Sequence, residues 1–303
     1  MKITKKFIVL ITVLALFSST IIGCAEENEG TNPFAPTTTK EAENPTNPTI
    51  PTAPTIPIVT TAAEPTTEEP TTEAPTTEPV PGDIDLSKYI ALTFDDGPDM
   101  RKVSSTNRIL DVLEEYGCKA TFFVQTIQLT YPDAIGDGSG LTYAQRNKKT
   151  VQREHDLGME IGSHSYDHPN FNKLSDDEIQ AQIDKSCSMI KEITGEDVKI
   201  IRTPGGAEKQ NVLDAVGMPI ILWDIDTMDW DTKDADNTYN HVLEHVRGGS
   251  IVLMHDIYSQ TADAVEMLVP ELVARGYHLV TVSELFRLYG KEMLSHHRYY
   301  SAR

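Results

Sequence analysis

Positive charge, cysteine and tryptophan are all scarce in this chain. Lys and Arg number 26 against 46 Asp and Glu over 303 residues, so the net charge is −20. A nucleic-acid partner, which rewards a basic face, is therefore not expected. Three cysteines, Cys24, Cys118 and Cys187, are too few for a disulfide-built scaffold. Cys118 and Cys187 are expected to stay as thiols. Long apolar runs are also missing, apart from residues 7–22, FIVLITVLALFSSTII. That run is slightly short of the roughly 20 residues a membrane span needs. Residues 25–82 lack apolar periodicity altogether and hold 12 of the 18 prolines, with ten Glu and one Lys. Such a segment has no core to bury, and it is expected to be a disordered, partly polyproline II spacer stretched by its own charge.

Around the apolar run the pattern is directional. Lys2, Lys5 and Lys6 precede it and Gly23-Cys24 follow it. Basic start, short apolar core and small residue form an export signal. IIGC at 21–24 resembles the lipobox of bacterial lipoproteins, which implies cleavage before Cys24 and a lipid on its thiol. The expected organisation is a lipoprotein signal peptide at 1–23, an anchor and Thr/Pro/Glu linker at 24–82, a folded domain at 83–290 and a frayed tail at 291–303. The expected location is the outer face of a bacterial cytoplasmic membrane, reached by export and held through the lipid alone.

The folded part, with a charge of −14, is of a size for one α/β domain. Short β-branched runs at 89–94, 120–124, 159–162, 199–202, 219–223, 250–254 and 277–281 read as strands. Helical patterns lie at 104–116, 143–157, 175–194, 208–216, 238–246 and 262–275. In 175–194, Ser175 and Glu178 make a capping box, Ile179, Ile183, Ile190 and Ile193 recur at helical spacing, and Gly195 ends the helix. Pro270 is expected to kink the last helix. About seven strands, each followed by a helix, imply a parallel sheet with right-handed crossovers. A closed barrel and an open doubly wound sheet share this alternation, and periodicity does not decide between them.

Either architecture places function at the carboxyl ends of the strands. Those ends carry Asp95 and Asp96, then His164 and His168 in HSYDH, Arg202, Asp226 and Asp229 in DIDTMDW, and His255 with Asp256. Adjacent carboxylates repel, and a cation removes that repulsion. In a helical turn, His164 and His168, four apart, would share one face and grip one ion, with Asp96 as third ligand. Asp95 would then be free to take a proton from the water a metal activates. Alone, an HxxxH or an Asp-Asp-Gly-Pro says little. Together, at successive strand ends, they make a site.

TFDDG (93–97), HSYDH (164–168), RTPGG (202–206), DTMDW (226–230) and LMHD (253–256) resemble, in order, the five motifs of the polysaccharide deacetylases, the NodB homology domain of carbohydrate esterase family 4. The likeness runs from about residue 88 to 286. It implies a distorted (β/α) TIM-like barrel and a divalent metal, usually zinc, with cobalt, nickel or manganese as other choices. It implies that Asp96, His164 and His168 bind the metal, that Asp95 is the general base and His255 the general acid. Arg202 would orient Asp95, and Asp229 would stabilise protonated His255. Trp230 and Leu253 would line the acetyl pocket. One departure stands out: the family pattern has an aromatic where this chain has Gly205, which would keep the backbone N–H of an oxyanion hole and lose the ring.

The expected activity is removal of N-acetyl groups from a cell-envelope glycan, with peptidoglycan N-acetylglucosamine as the first expected substrate, by a monomer. Alternatives are O-deacetylation of xylan or deacetylation of chitooligosaccharides. A different class, a carbohydrate-binding protein with a decayed site, is favoured only by Gly205. The longer connection at 125–147 is expected to fold over the groove.

Overall fold

Ile90, Leu92 and Phe94 alternate with Ala91, Thr93 and Asp95, and this period of two builds the first strand, β1 (Tyr89–Asp95). The computed structural model describes residues 84–98, 104–136 and 138–303, so the expected signal peptide, Cys24 and spacer lie outside the described residues. After β1 come α1 (Ser105–Glu115), β2 (Thr121–Val124), α2 (Tyr143–Asp156), β3 (Glu160–Ser163) and α3 (Asp176–Thr194). Then follow α4 (Gln210–Val216), β4 (Ile220–Ile221), β5 (Ile225–Asp226), α5 (Asp229–Thr232) and α6 (Ala235–His245). The last are β6 (Ile251–His255), α7 (Ser259–Ala274), β7 (His278–Leu279), α8 (Val282–Leu288) and β8 (Arg298–Tyr299).

The strands pair in parallel in the order β3-β2-β1-β6-β5, and β7 pairs with the start of β1. Both faces of this sheet are covered, as parallel pairing requires. One face of β1, through Ile90, Leu92 and Phe94, joins a core with α1, α6 and α7. The other face, through Ala91, joins Phe123, Ile200, Ile251 and Phe286.

The expected barrel does not close. The strand expected at 199–202 is reduced to single bridges from Ile201 to Ser163 and to Ile220. The run expected as one strand at 219–223 is β4, which pairs with β8 in a separate two-stranded sheet, and the ladder resumes only at β5. The edge of β4 away from Ile201 is taken by the C-terminal segment, whose His297 and Tyr299 carbonyls accept from the Ile220 and Leu222 N–H, while the buried guanidinium of Arg202 takes the carbonyls of Ile221 and Leu222 at 2.9 and 3.0 Å.

The helices mostly follow their local signals. α3 begins at the Ser175–Glu178 capping box and ends at Gly195, which has φ 78°. α7 runs unbroken through Pro270, its buried face carrying Ala262, Val265, Leu268, Val269 and Leu272. Cys118 is buried, Cys187 half-buried, and both are free. The tail expected to fray is instead built in. Ile220 and Leu222 donate to the carbonyls of His297 and Tyr299, Ala302 is fully buried, and its N–H donates to Gly249.

Candidate active site

Neighbouring side chains on a strand point to opposite faces. Asp95 ends β1 on the same face as Thr93, so Asp96 would ordinarily point away from it. Asp96 instead adopts φ 74°, which breaks the alternation. As a result Asp95 Oδ2 and Asp96 Oδ1 lie 3.7 and 3.5 Å from the same His164 Nε2. The turn that follows requires glycine: a Cβ on Gly97 would sit 2.0 Å from Asp256 Oδ2.

His164 and His168 do meet, with ring centroids 5.0 Å apart, but not on a helix. Ser165 and His168 both have positive φ, 68° and 63°, and the segment is a compact loop. A spacing of four suits a helix and a tight loop alike, and here hydrogen bonds select the loop. The His168 N–H donates to Ser165 Oγ, and those of Thr126 and Ile127 donate to the carbonyls of Ser165 and Tyr166. The connection at 125–147 therefore braces this loop; none of its residues lines the groove among the described residues.

Asp96 Oδ1 is 3.5 Å from His164 Nε2 and 3.6 Å from His168 Nε2. One ligand atom from each residue lies within 4.8 Å of the others. Asp96 Oδ1 is buried without a hydrogen-bond partner among the described residues, an arrangement that costs free energy unless a cation or water completes it. His164 Nδ1 is 2.8 Å from the Arg202 carbonyl, so Nδ1 carries the proton and Nε2 offers its lone pair to the cluster. The donor set, two imidazoles and a carboxylate, suits zinc and related divalent ions with open positions.

Behind the cluster, Arg202 is fully buried and donates to Asp95 Oδ1 and Thr93 Oγ1, both at 2.8 Å. Its guanidinium lies 4.3 Å from the Phe123 ring. Burial pushes the Asp95 carboxyl up, but Arg202, His164 and His255 outweigh it and hold the group below the usual carboxylate range. Asp95 is thus an ionised base in a dry setting.

His255 ends β6 beside Asp95, its partner in the parallel register. Its Nδ1 is 2.8 Å from Asp229 Oδ1, and Asp229 Oδ2 accepts from the His255 N–H and from Thr261 Oγ1, both at 2.7 Å. Burial opposes the charged imidazolium, yet Asp229, with Asp95 and Asp96 beyond it, raises the pKa to about 9. At neutral pH His255 is a proton donor.

The groove over these groups, about 400 Å³, is also lined by Gly205, Gly206, Trp223, Asp226, Trp230, Leu253 and Tyr258. All the site residues expected from sequence, Cys24 apart, thus fall in one place. Thr93, Thr261, Trp223 and Tyr258 were not expected. Thr93 was readable, being two residues before Asp95 on one strand. Thr261 carries no local signal, because its partner Asp229 is 32 positions away.

The sequence profile described as polysaccharide deacetylase matches residues 84–218. The peptidoglycan-N-acetylglucosamine deacetylase of Listeria monocytogenes is 38% identical over 200 residues, covering 66% of this chain and 39% of that protein. The chain thus matches about two fifths of that relative's length. The structure of a peptidoglycan deacetylase from Bacillus subtilis is 35% identical, with TM-score 0.59, covering 68% of this chain and 94% of that one. A family 4 acetyl xylan esterase from Clostridium thermocellum, solved with a cobalt ion, is 30% identical with TM-score 0.62, covering 71% and 98%. With its catalytic-type residues gathered at the strand ends, this chain belongs to the polysaccharide deacetylase family.

Proposed function

We propose that this domain is a cation-dependent hydrolase that removes the acetyl group from N-acetylglucosamine in peptidoglycan. One observation carries the reading. Asp95 and His255, neighbours on β1 and β6, have proton affinities pushed apart, one held low and the other raised to about 9. That division suits a reaction needing both a base and an acid.

Asp96, His164 and His168 would hold the divalent cation, zinc in the first instance. When bound, it supplies Lewis-acid activation of water and of the acetyl carbonyl. Asp95, fixed by Arg202, accepts a proton from the attacking water as its oxygen joins the carbonyl carbon. The carbonyl π electrons move onto oxygen, near the backbone of Gly205. His255 then gives its proton to the sugar nitrogen as the electrons on oxygen re-form the carbonyl and the C–N bond breaks, releasing an amine and acetic acid, which ionises to acetate in water. Asp229 holds the imidazolium until that transfer. Trp230 and Leu253 border the acetyl methyl.

The choice of peptidoglycan is supported by the names of the Listeria and Bacillus relatives. The likeness to the xylan esterase supports the second reading, an O-deacetylase. Acetate release from purified peptidoglycan and from acetylated xylan, at equal acetyl concentration with the cation-loaded full chain, separates the two. Faster release from peptidoglycan is expected, and a clear preference for xylan overturns the assignment. The lipobox-like IIGC and the spacer after it favour an exported protein anchored through Cys24. Fatty-acid labelling that persists in Cys24→Ser would refute the anchor.

A further inference from the structure

Trp223 lies in the groove, yet neither the cation set nor the proton-transfer pair uses it. It sits at the break between β4 and β5, half-buried. The indole packs against two apolar clusters, one containing Ile221 and Phe286 and the other Leu222 and Val216. Its ring is 5.6 Å from the Arg202 guanidinium. The side chain is thus held on one flank while it borders the groove on another. The backbone beside it carries no side chain. A Cβ on Gly206 would meet Trp223 Cη2 at 3.0 Å, whereas a Cβ on Gly205 would meet no atom within 4 Å. Both glycines have positive φ, 61° and 66°. The result is an anchored aromatic side chain on the groove wall, with Gly206 close against it and open space at Gly205 on the same wall.

We propose that Trp223 is the surface on which a pyranose ring of the glycan stacks, and that Gly205 supplies the clearance this ring needs. The inference rests on the reading of the domain as a glycan deacetylase. A hexopyranose exposes apolar C–H groups on its ring faces, and an indole offers a large apolar surface with a negative π face to receive them. Because the indole is already held by the core, contact orders little that was free. Its position over Arg202, which grips Asp95, sets a stacked ring in fixed relation to the base. Trp223 is therefore a positioning residue for the substrate.

The test uses the full, cation-loaded chain with chitotetraose as glycan and 4-nitrophenyl acetate as a substrate that has no sugar ring. Trp223→Ala is expected to raise KM for chitotetraose about tenfold, about 1.4 kcal/mol, with a much smaller fall in kcat. Trp223→Phe is expected to recover most of that KM, since a flat ring remains. The loss on 4-nitrophenyl acetate is expected to be clearly smaller than the loss on the glycan. An unchanged KM in Trp223→Ala overturns the inference. So do equal losses on both substrates, which would mean that the indole only supports the fold. Turnover of 4-nitrophenyl acetate but not of chitotetraose by the unaltered chain overturns the inference alone, and turnover of neither overturns the deacetylase reading with it.

Discussion

At the residue scale, the pairing of His255 with Asp229 makes the sharper test of the acid–base reading. Replacing Asp95 would also break a buried ion pair with Arg202, at a stability cost of about 3–5 kcal/mol that would blur any kinetic loss. His255 is less entangled. His255→Ala is expected to lower kcat on an acetamido sugar by roughly 10²–10⁴-fold. An aryl acetate, whose leaving group needs no proton, is expected to suffer far less. Steady-state rates on the two substrates decide this, and equal losses would remove His255 from the role of acid.

At the element scale, β8 reaches Asp95 through a chain of contacts. Its residues pair with β4, and just after β4 the Leu222 N–H donates to the Tyr299 carbonyl at 2.7 Å. The carbonyls of Ile221 and Leu222 then hold Arg202, which holds Asp95. Tyr299 also stacks edge-on to Phe286 at 5.1 Å, and Arg303 pairs with Asp224. Truncation after Lys291 removes several backbone hydrogen bonds, each worth about 0.5–1.5 kcal/mol net, and uncovers apolar surface. A fall in Tm of roughly 10 °C is expected by thermal unfolding, together with a loss in kcat. A truncated chain that melts with the intact one would show that β8 is an ornament of the fold.

At the scale of the whole molecule, two buried acidic groups have no cationic partner among the described residues. Burial, then Asp256, pushes Glu154 well above the usual carboxylate range, and neither of its oxygens finds a hydrogen bond among the described residues. Burial, relieved in part by Thr106 and reinforced by Asp96, pushes Asp256 up to about 7. A raised pKa means the folded state binds more protons than the unfolded one. These groups therefore contribute full stability below their unfolded values, near pH 4, and lose it as pH rises, for Asp256 through about 7. The slope is at most about 1.4 kcal/mol per pH unit for each group. Urea unfolding at pH 5.5 and 8.5 is expected to show the folded state weaker at the higher pH, with a smaller drop in Glu154→Met. An equal drop in the variant would mean that Glu154 is not buried as an acid.

Local periodicity by itself determined most of the elements: β1 from its alternation, α3 from its capping box and isoleucine spacing, and the strand ends that carry Asp95, Asp96, His164 and His255. These signals are short-range, so they survive without knowledge of neighbours. Only the tertiary structure decided which ends meet. The order β3-β2-β1-β6 sets strands far apart in sequence side by side, and no local pattern encodes such pairing. It also decided the backbone of the site. Positive φ at Asp96, Ser165 and His168 is locally unfavourable, and at Ser165 and His168 surrounding hydrogen bonds hold it. A spacing of four residues therefore read as a helical turn where the chain makes a loop. β4, β5 and β8 are two residues each, too short to show a period, and SHHRYYSAR gave no hint of its place beside β4. The barrel stays open where β8 takes the edge of β4, a pairing between segments far apart in sequence that exists only after the chain has folded.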